Sequence, residues 1–136
     1  MAEIHSLKLA NFAEDFWELR SGEKVHTENP ETFWIPERAA RDKLKPGDGA
    51  KLAFDFEVET QSGAVEIRGE KMWVIVREKT SDFYIGILEN QPAGISPGFL
   101  DKNSEVIFKP EHVIDIDRPP DEYLKERFGE DFLHDE

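Results

Sequence analysis

Gly94-Ile95-Ser96-Pro97-Gly98 has the G-x-S-x-G spacing of a hydrolase nucleophile elbow. Such an elbow presents its serine on a strained strand-to-helix turn, and the N–H of the next residue helps form the oxyanion hole. Pro97 has no N–H to give, and its ring disfavours a helix beyond the first residue. The segment reads as a Pro/Gly turn loop. His112, Asp115 and Asp117 are metal-ligating types, yet on a strand His112 shares a face with Ile114 and Ile116 while both aspartates share the other. No H-x-x-x-H pair occurs among His5, His26, His112 and His134, and a catalytic zinc needs three convergent ligands. The residues therefore call for no metal and no cofactor. Asp55, Glu57 and Glu59 line one strand face, where neighbouring carboxylates can split their pKa values for acid/base work. A wet sheet face, neutralised across the strand by Arg68 or Lys71, accounts for them more simply. No catalytic residue is assigned, and a small hydrolase or isomerase using His112 or His26 with a carboxylate stands as the enzymatic alternative.

Binding is the better-supported chemistry. If Met72, Val74 and Val76 point inward, Trp73 and Ile75 point to the opposite face, so a large aromatic is either exposed or covered by another layer. Phe33 and Trp34 pose the same question. Core packing is the expected fate of these aromatics. Were they exposed, Trp34, Trp73, Asn90 and Pro92 would form one patch of the kind that anchors a protein partner.

The elements that must position these residues belong to a chain of 136 residues with a net charge of -13. That length suits one domain, and 38% hydrophobic content with ten Phe and three Trp is enough apolar material for a core. Absence of cysteine excludes disulfides, thiolate metal sites and thiol redox chemistry. No apolar run nears the roughly 18 residues of a membrane span, and no secretory leader pattern opens the chain, so a soluble cytoplasmic protein is expected. Residues 1–35, 36–110 and 111–136 contribute -4, -2 and -7, so the excess acid sits at the ends. Such a surface repels nucleic acid and anionic membranes and suits a basic protein partner.

Leu9, Phe12, Phe16 and Leu19 recur at helical spacing and predict an N-terminal helix over residues 6–22. Residues 33–49 read as a loop carrying a short helix from Pro36 to Leu44. From residue 50 the period becomes two, and strands follow to residue 116, with Gly69 a candidate bulge and Gly86 a close approach by a neighbour. Residues 117–136 read as an acidic C-terminal helix and tail, with Leu124 and Phe128 one turn apart. Short polar turns between strands argue for an antiparallel sheet, and five short strands suggest closure. The fold class expected is α+β, mainly β: a small curved five-stranded SH3-like barrel with N-terminal and C-terminal helices.

The order Glu70-x-Met72-Trp73-Val74-x-Val76, Gly86-x-Leu88-x-Asn90-x-Pro92, Val106-x-Phe108 and His112-Val113-Ile114-Asp115-Ile116 resembles a group of small uncharacterised bacterial proteins, the domain of unknown function twenty-three fourteen. Phe33-Trp34-Ile35-Pro36 and Leu44-Lys45-Pro46-Gly47-Asp48 look like its longer members. The resemblance spans residues 26–116, about two thirds of the chain. It implies a fold rather than an activity, and a setting near toxin or immunity systems. Together these features predict a non-enzymatic binding or regulatory module. The alternative is an immunity or decoy protein using its acidic C-terminal segment.

Overall fold

The alternating segment after Pro46-Gly47-Asp48 becomes the strand around which the sheet is built. The computed structural model describes residues 8–133, and in it β2 runs Gly49–Glu59. One edge of β2 pairs antiparallel with β3, Val65–Lys79, in unbroken register from Gly49 opposite Ile75 to Glu59 opposite Val65. Its other edge is shared: β1, Trp17–Leu19, takes Phe54–Phe56, and β6, Val113–Asp117, takes Gly49–Leu52. Beyond β3 lie β4, Tyr84–Leu88, and β5, Glu105–Phe108. The protein is thus α+β and mainly β, with an antiparallel sheet curled into a half-barrel. Among the described residues no pairing of β5 with β1 or β6 closes it.

Alternation decides the core. Ala50, Leu52, Phe54 and Phe56 of β2 and Met72, Val74 and Val76 of β3 point into the curl with Tyr84, Leu88, Val106 and Phe108. Gly86 belongs to this face: a Cβ there would stand 2.9 Å from Val74 Cγ2 and 3.1 Å from Phe108 Cε1, so β4 packs only without a side chain. The bulge predicted at Gly69 lies elsewhere. Gly69 pairs in register with Asp55, and the shift falls between Val76 and Glu78, where Arg77 is the extra residue.

The predicted N-terminal helix does not form as one element. Its start at Ser6 and Leu7 lies outside the described residues; from there the chain makes α1, Phe12–Asp15, then β1, then α2, Gly22–Glu28. Phe16 takes a left-handed φ of 67° and its N–H closes on the Phe12 carbonyl, ending α1 after one turn. That reversal lets Trp17 enter the core, with its ring 5.6 Å from that of Phe54. Burying an indole outweighs continuing a helical stripe that had no groove to fill. The short helix predicted from Pro36 is α3, Arg38–Asp42, with Pro36 ahead of the Glu37 cap. At the other end α4, Asp121–Phe128, follows Pro119-Pro120, buries Leu124 and stops at Gly129. The tail end, residues 134–136, is outside the described residues. No helix among the described residues is long and apolar enough to cross a membrane.

Candidate functional site

Register puts Trp73 opposite Lys51 and Ile75 opposite Gly49 on the outer face of the sheet. Neither side chain can enter the curl, so a groove of about 730 Å³ forms between this face and the segment leading into α4. Trp73, Ile75, Asn90, Pro119, Pro120 and Tyr123 line it, with Gly49, Glu89 and Asp117. Its floor is fixed from both sides. The Glu89 N–H donates to the Trp73 carbonyl at 3.0 Å. A Cβ on Gly49 would meet the Asp117 carbonyl at 2.8 Å and the indole at 3.4 Å, so glycine is what allows β6 to approach. The Lys51 ammonium stands 5.8 Å from the Trp73 ring centre.

The electrostatics of the groove come from three tied groups. Tyr123 donates its hydroxyl to Glu89 Oε1 at 2.6 Å, and Arg127 Nε lies 3.4 Å from Glu89 Oε2. Glu89 and Arg127 are mostly buried, and Glu89 Oε2 and Arg127 Nε have no hydrogen-bond partner among the described residues. The Glu89 carboxylate holds the Tyr123 hydroxyl above the ordinary phenol range, with burial adding to it. Pro120 and Tyr123 also border a second hollow lined by Glu122, Glu126 and Glu130 with Lys125. An apolar, aromatic groove therefore runs into an acidic helix surface.

Of the residues singled out in the sequence, the structure brings Trp73 and Asn90 together in this groove. Pro92 is buried. Trp34 is 69% exposed and lines a different hollow with His26, Ile35 and Pro36, so the four do not form one patch. Core burial, expected for both tryptophans, is partial for Trp73 and absent for Trp34. Phe33 and Ile35 pack on Ala53 and Ile114, and an extended segment that seats both turns the residue between them away. Residues 89–104 are held by their own bonds: Gln91 Nε2 donates to Asp101 Oδ1 at 2.9 Å, and Lys102 N–H to Gln91 Oε1 at 3.1 Å. Sequence reasoning missed Tyr123 and Glu89. The signal for Tyr123 was its place beside Leu124, whose burial fixes the rotation of α4.

The remaining chemical candidates fall into structural roles. Ser96 sits in an exposed turn that continues through Gly98 at φ 100° without entering a helix. Asp55 is bound by Arg20 at 2.7 and 3.1 Å, not by Arg68. Arg68 stands opposite Phe56, on the other face, and pairs with Glu66 at 3.2 Å, while the Lys71 ammonium lies 5.5 Å from the Phe33 ring centre. His112 belongs to a 3-10 turn, Pro110–His112, rather than to the strand predicted for it. Its Nδ1 accepts the Lys109 N–H at 2.9 Å, which leaves the proton on Nε2, and Nε2 is 4.0 Å from Glu111 Oε2. His26 Nδ1 meets the Phe33 carbonyl at 2.6 Å. Neither imidazole hydrogen-bonds a carboxylate among the described residues. No group of three or more His, Cys, Asp or Glu among them is placed to hold a metal ion.

Burial lowers the His112 pKa below 6.5, with Glu111 partly opposing. The unfolded chain then binds more protons than the folded one as pH falls below about 6.5, so the neutral imidazole's contribution is complete above that pH and is lost as pH falls toward the folded pKa. Thermal unfolding between pH 5 and 8 should show the native chain losing stability on acidification more steeply than His112→Gln; parallel profiles would refute the assignment. No family model, curated protein or solved structure matches this chain.

Proposed function

We propose that this chain is a non-enzymatic binding module, a small SH3-like unit of the cytoplasm, that takes an extended segment of a basic protein partner in the Trp73 groove. The observation that carries the reading is the continuity between the aromatic groove and the acidic surface of α4 across Pro120 and Tyr123. An apolar or prolyl side chain of the partner stacks against Trp73 and Tyr123, where flat rings give contact area at small entropic cost. Its basic residues then meet Glu122, Glu126 and Glu130, which steer encounter and favour cationic partners. The resemblance to the domain of unknown function twenty-three fourteen is part of this proposal, since Trp73 and Asn90 both fall within the resembling stretches.

Titration of a labelled peptide alternating basic and apolar residues, followed by fluorescence anisotropy, tests it. Trp73→Ala should weaken binding by about 30-fold, the loss of one hot-spot aromatic. Glu122→Lys with Glu126→Lys should slow association and flatten its salt dependence. Equal binding of an acidic peptide of the same apolar pattern, or indifference to Trp73→Ala, would overturn the proposal. A decoy role, in which α4 and the turn after it present their acids to a nucleic-acid-binding site, is favoured by the exposure of Asp121, Glu122, Glu126 and Glu130. It predicts the reverse pattern: loss on charge reversal and no response to Trp73→Ala.

A further inference from the structure

Along one edge of the long strand β3 a stretch away from the groove is left unpaired among the described residues. Strand β4 pairs only with Val74–Lys79 of this fifteen-residue strand. Residues 65–71 have β2 on one side and, among the described residues, no strand on the other. Val65 is 62% and Ile67 50% exposed. The Thr60 N–H donates to the Ala64 carbonyl at 2.8 Å, and the Gly47 N–H to the Val76 carbonyl at 2.9 Å. In an antiparallel ladder these two bonds assign the even-numbered residues of β3 to β2 and turn the N–H and C=O of Val65, Ile67 and Gly69 outward. Trp73 confirms the alternation, since its carbonyl accepts from Glu89 rather than from β2. Such an exposed edge is a template for another strand.

We infer that this edge pairs antiparallel with the same edge of a second copy of the chain, about a two-fold axis at Ile67. Outward groups must meet outward groups, which restricts the registers. Centred on Ile67, the pairing sets Glu66 against Arg68 of the second copy twice over, Ile67 against Ile67, and Val65 against Gly69. Moving the axis to Glu66 or to Arg68 would put like charges face to face. Centring on Gly69 would set Ile67 against Lys71 and draw on Glu70, which already accepts the Ala93 N–H at 3.2 Å.

Gly69 supports the choice. Its φ is not positive, and a Cβ there would meet nothing nearer than 3.5 Å, so the monomer has room for a side chain. The missing side chain leaves the space that Val65 of the second copy needs. Charge agrees: Glu66, Arg68, Glu70 and Lys71 balance within this segment, although the whole chain carries -13. A few paired residues bury less than about 1,200 Å², so the dimer is a weak one whose population follows concentration.

Sedimentation of the full chain over a concentration series tests the inference, with a monomer–dimer equilibrium expected. Ile67→Pro removes an outward N–H that serves no bond to β2, so thermal unfolding should stay cooperative while the dimer is lost. Glu66→Arg and Arg68→Glu should each sediment as monomers, yet form a mixed dimer when combined in equal amounts, because the charges then complement again. A native chain that stays monomeric up to about 1 mM, a dimer that survives Ile67→Pro, or a mixture that stays monomeric would each overturn it. So would a foreign extended peptide that binds the native monomer and is blocked by Ile67→Pro, which would give the edge to another protein's strand. None of these substitutions touches the Trp73 groove, so failure here leaves the binding proposal standing.

Discussion

Arg41→Ala should lower the free energy of unfolding by about 3 kcal/mol, measured by urea denaturation. The Arg41 side chain is 6% exposed, and its guanidinium closes three contacts at once. Nε donates to the Pro36 carbonyl at 2.7 Å, and Nη1 to Glu23 at 2.6 Å and to the Pro110 carbonyl at 2.9 Å. These bonds tie α2, the loop before α3 and the turn before β6 to one side chain. Truncation leaves carbonyl oxygens without a donor, and such orphaned groups cost about 1–3 kcal/mol each where water cannot replace the partner. Arg41→Lys should recover only part, because an ammonium cannot reproduce the forked geometry. Arg38→Ala is the control: its side chain is 64% exposed, although it pairs with both Asp42 and Glu23, and it should leave the midpoint almost unchanged. Equal effects at the two arginines would refute the role given to Arg41.

Phe54→Ala should be as damaging or more so, at about 3–5 kcal/mol. Phe54 is fully buried and packs between the rings of Trp17, at 5.6 Å, and Phe56, at 6.3 Å. Removing it deletes transfer energy and leaves a cavity under β1, a strand of three residues whose indole rests on the Phe54 ring. Hydrogen exchange should therefore report opening at Trp17–Leu19 ahead of β2 and β3. Phe54→Leu should cost much less, since volume is largely kept. A protected β1 in Phe54→Ala would mean that backbone pairing, and not the aromatic contact, seats it.

The strand region from residue 50 to 116 was legible because a half-buried strand writes period two into its residues, and Met72, Val74 and Val76 do share the inward face. That alternation also turned Trp73 outward, which made half of the groove visible. The other half was hidden because Tyr123 and Glu89 meet it only through tertiary placement of α4. Spacing offers Arg68 or Lys71 as the cation for Asp55, Glu57 and Glu59, whereas the register sets Arg68 opposite Phe56 and the end of the adjacent strand β1 brings Arg20 to Asp55. The N-terminal stripe misled for a related reason. Helical spacing over Leu9, Phe12, Phe16 and Leu19 says nothing of the left-handed turn at Phe16, and an aromatic core able to accept Trp17 outcompetes the local preference.

The shared edge of β2 divides the assembly of the sheet into a local part and a distant one. Strands β2 to β5 follow one another in sequence, so they can zip together as neighbouring hairpins with small losses of chain entropy. The opposite edge waits for Trp17–Leu19 and Val113–Asp117, which arrive from either end of the polypeptide and must land side by side on Phe54–Phe56 and Gly49–Leu52. By loop-closure entropy these distant encounters should be the slow part of folding, and until both are made the central strand offers a bare ladder to any passing chain.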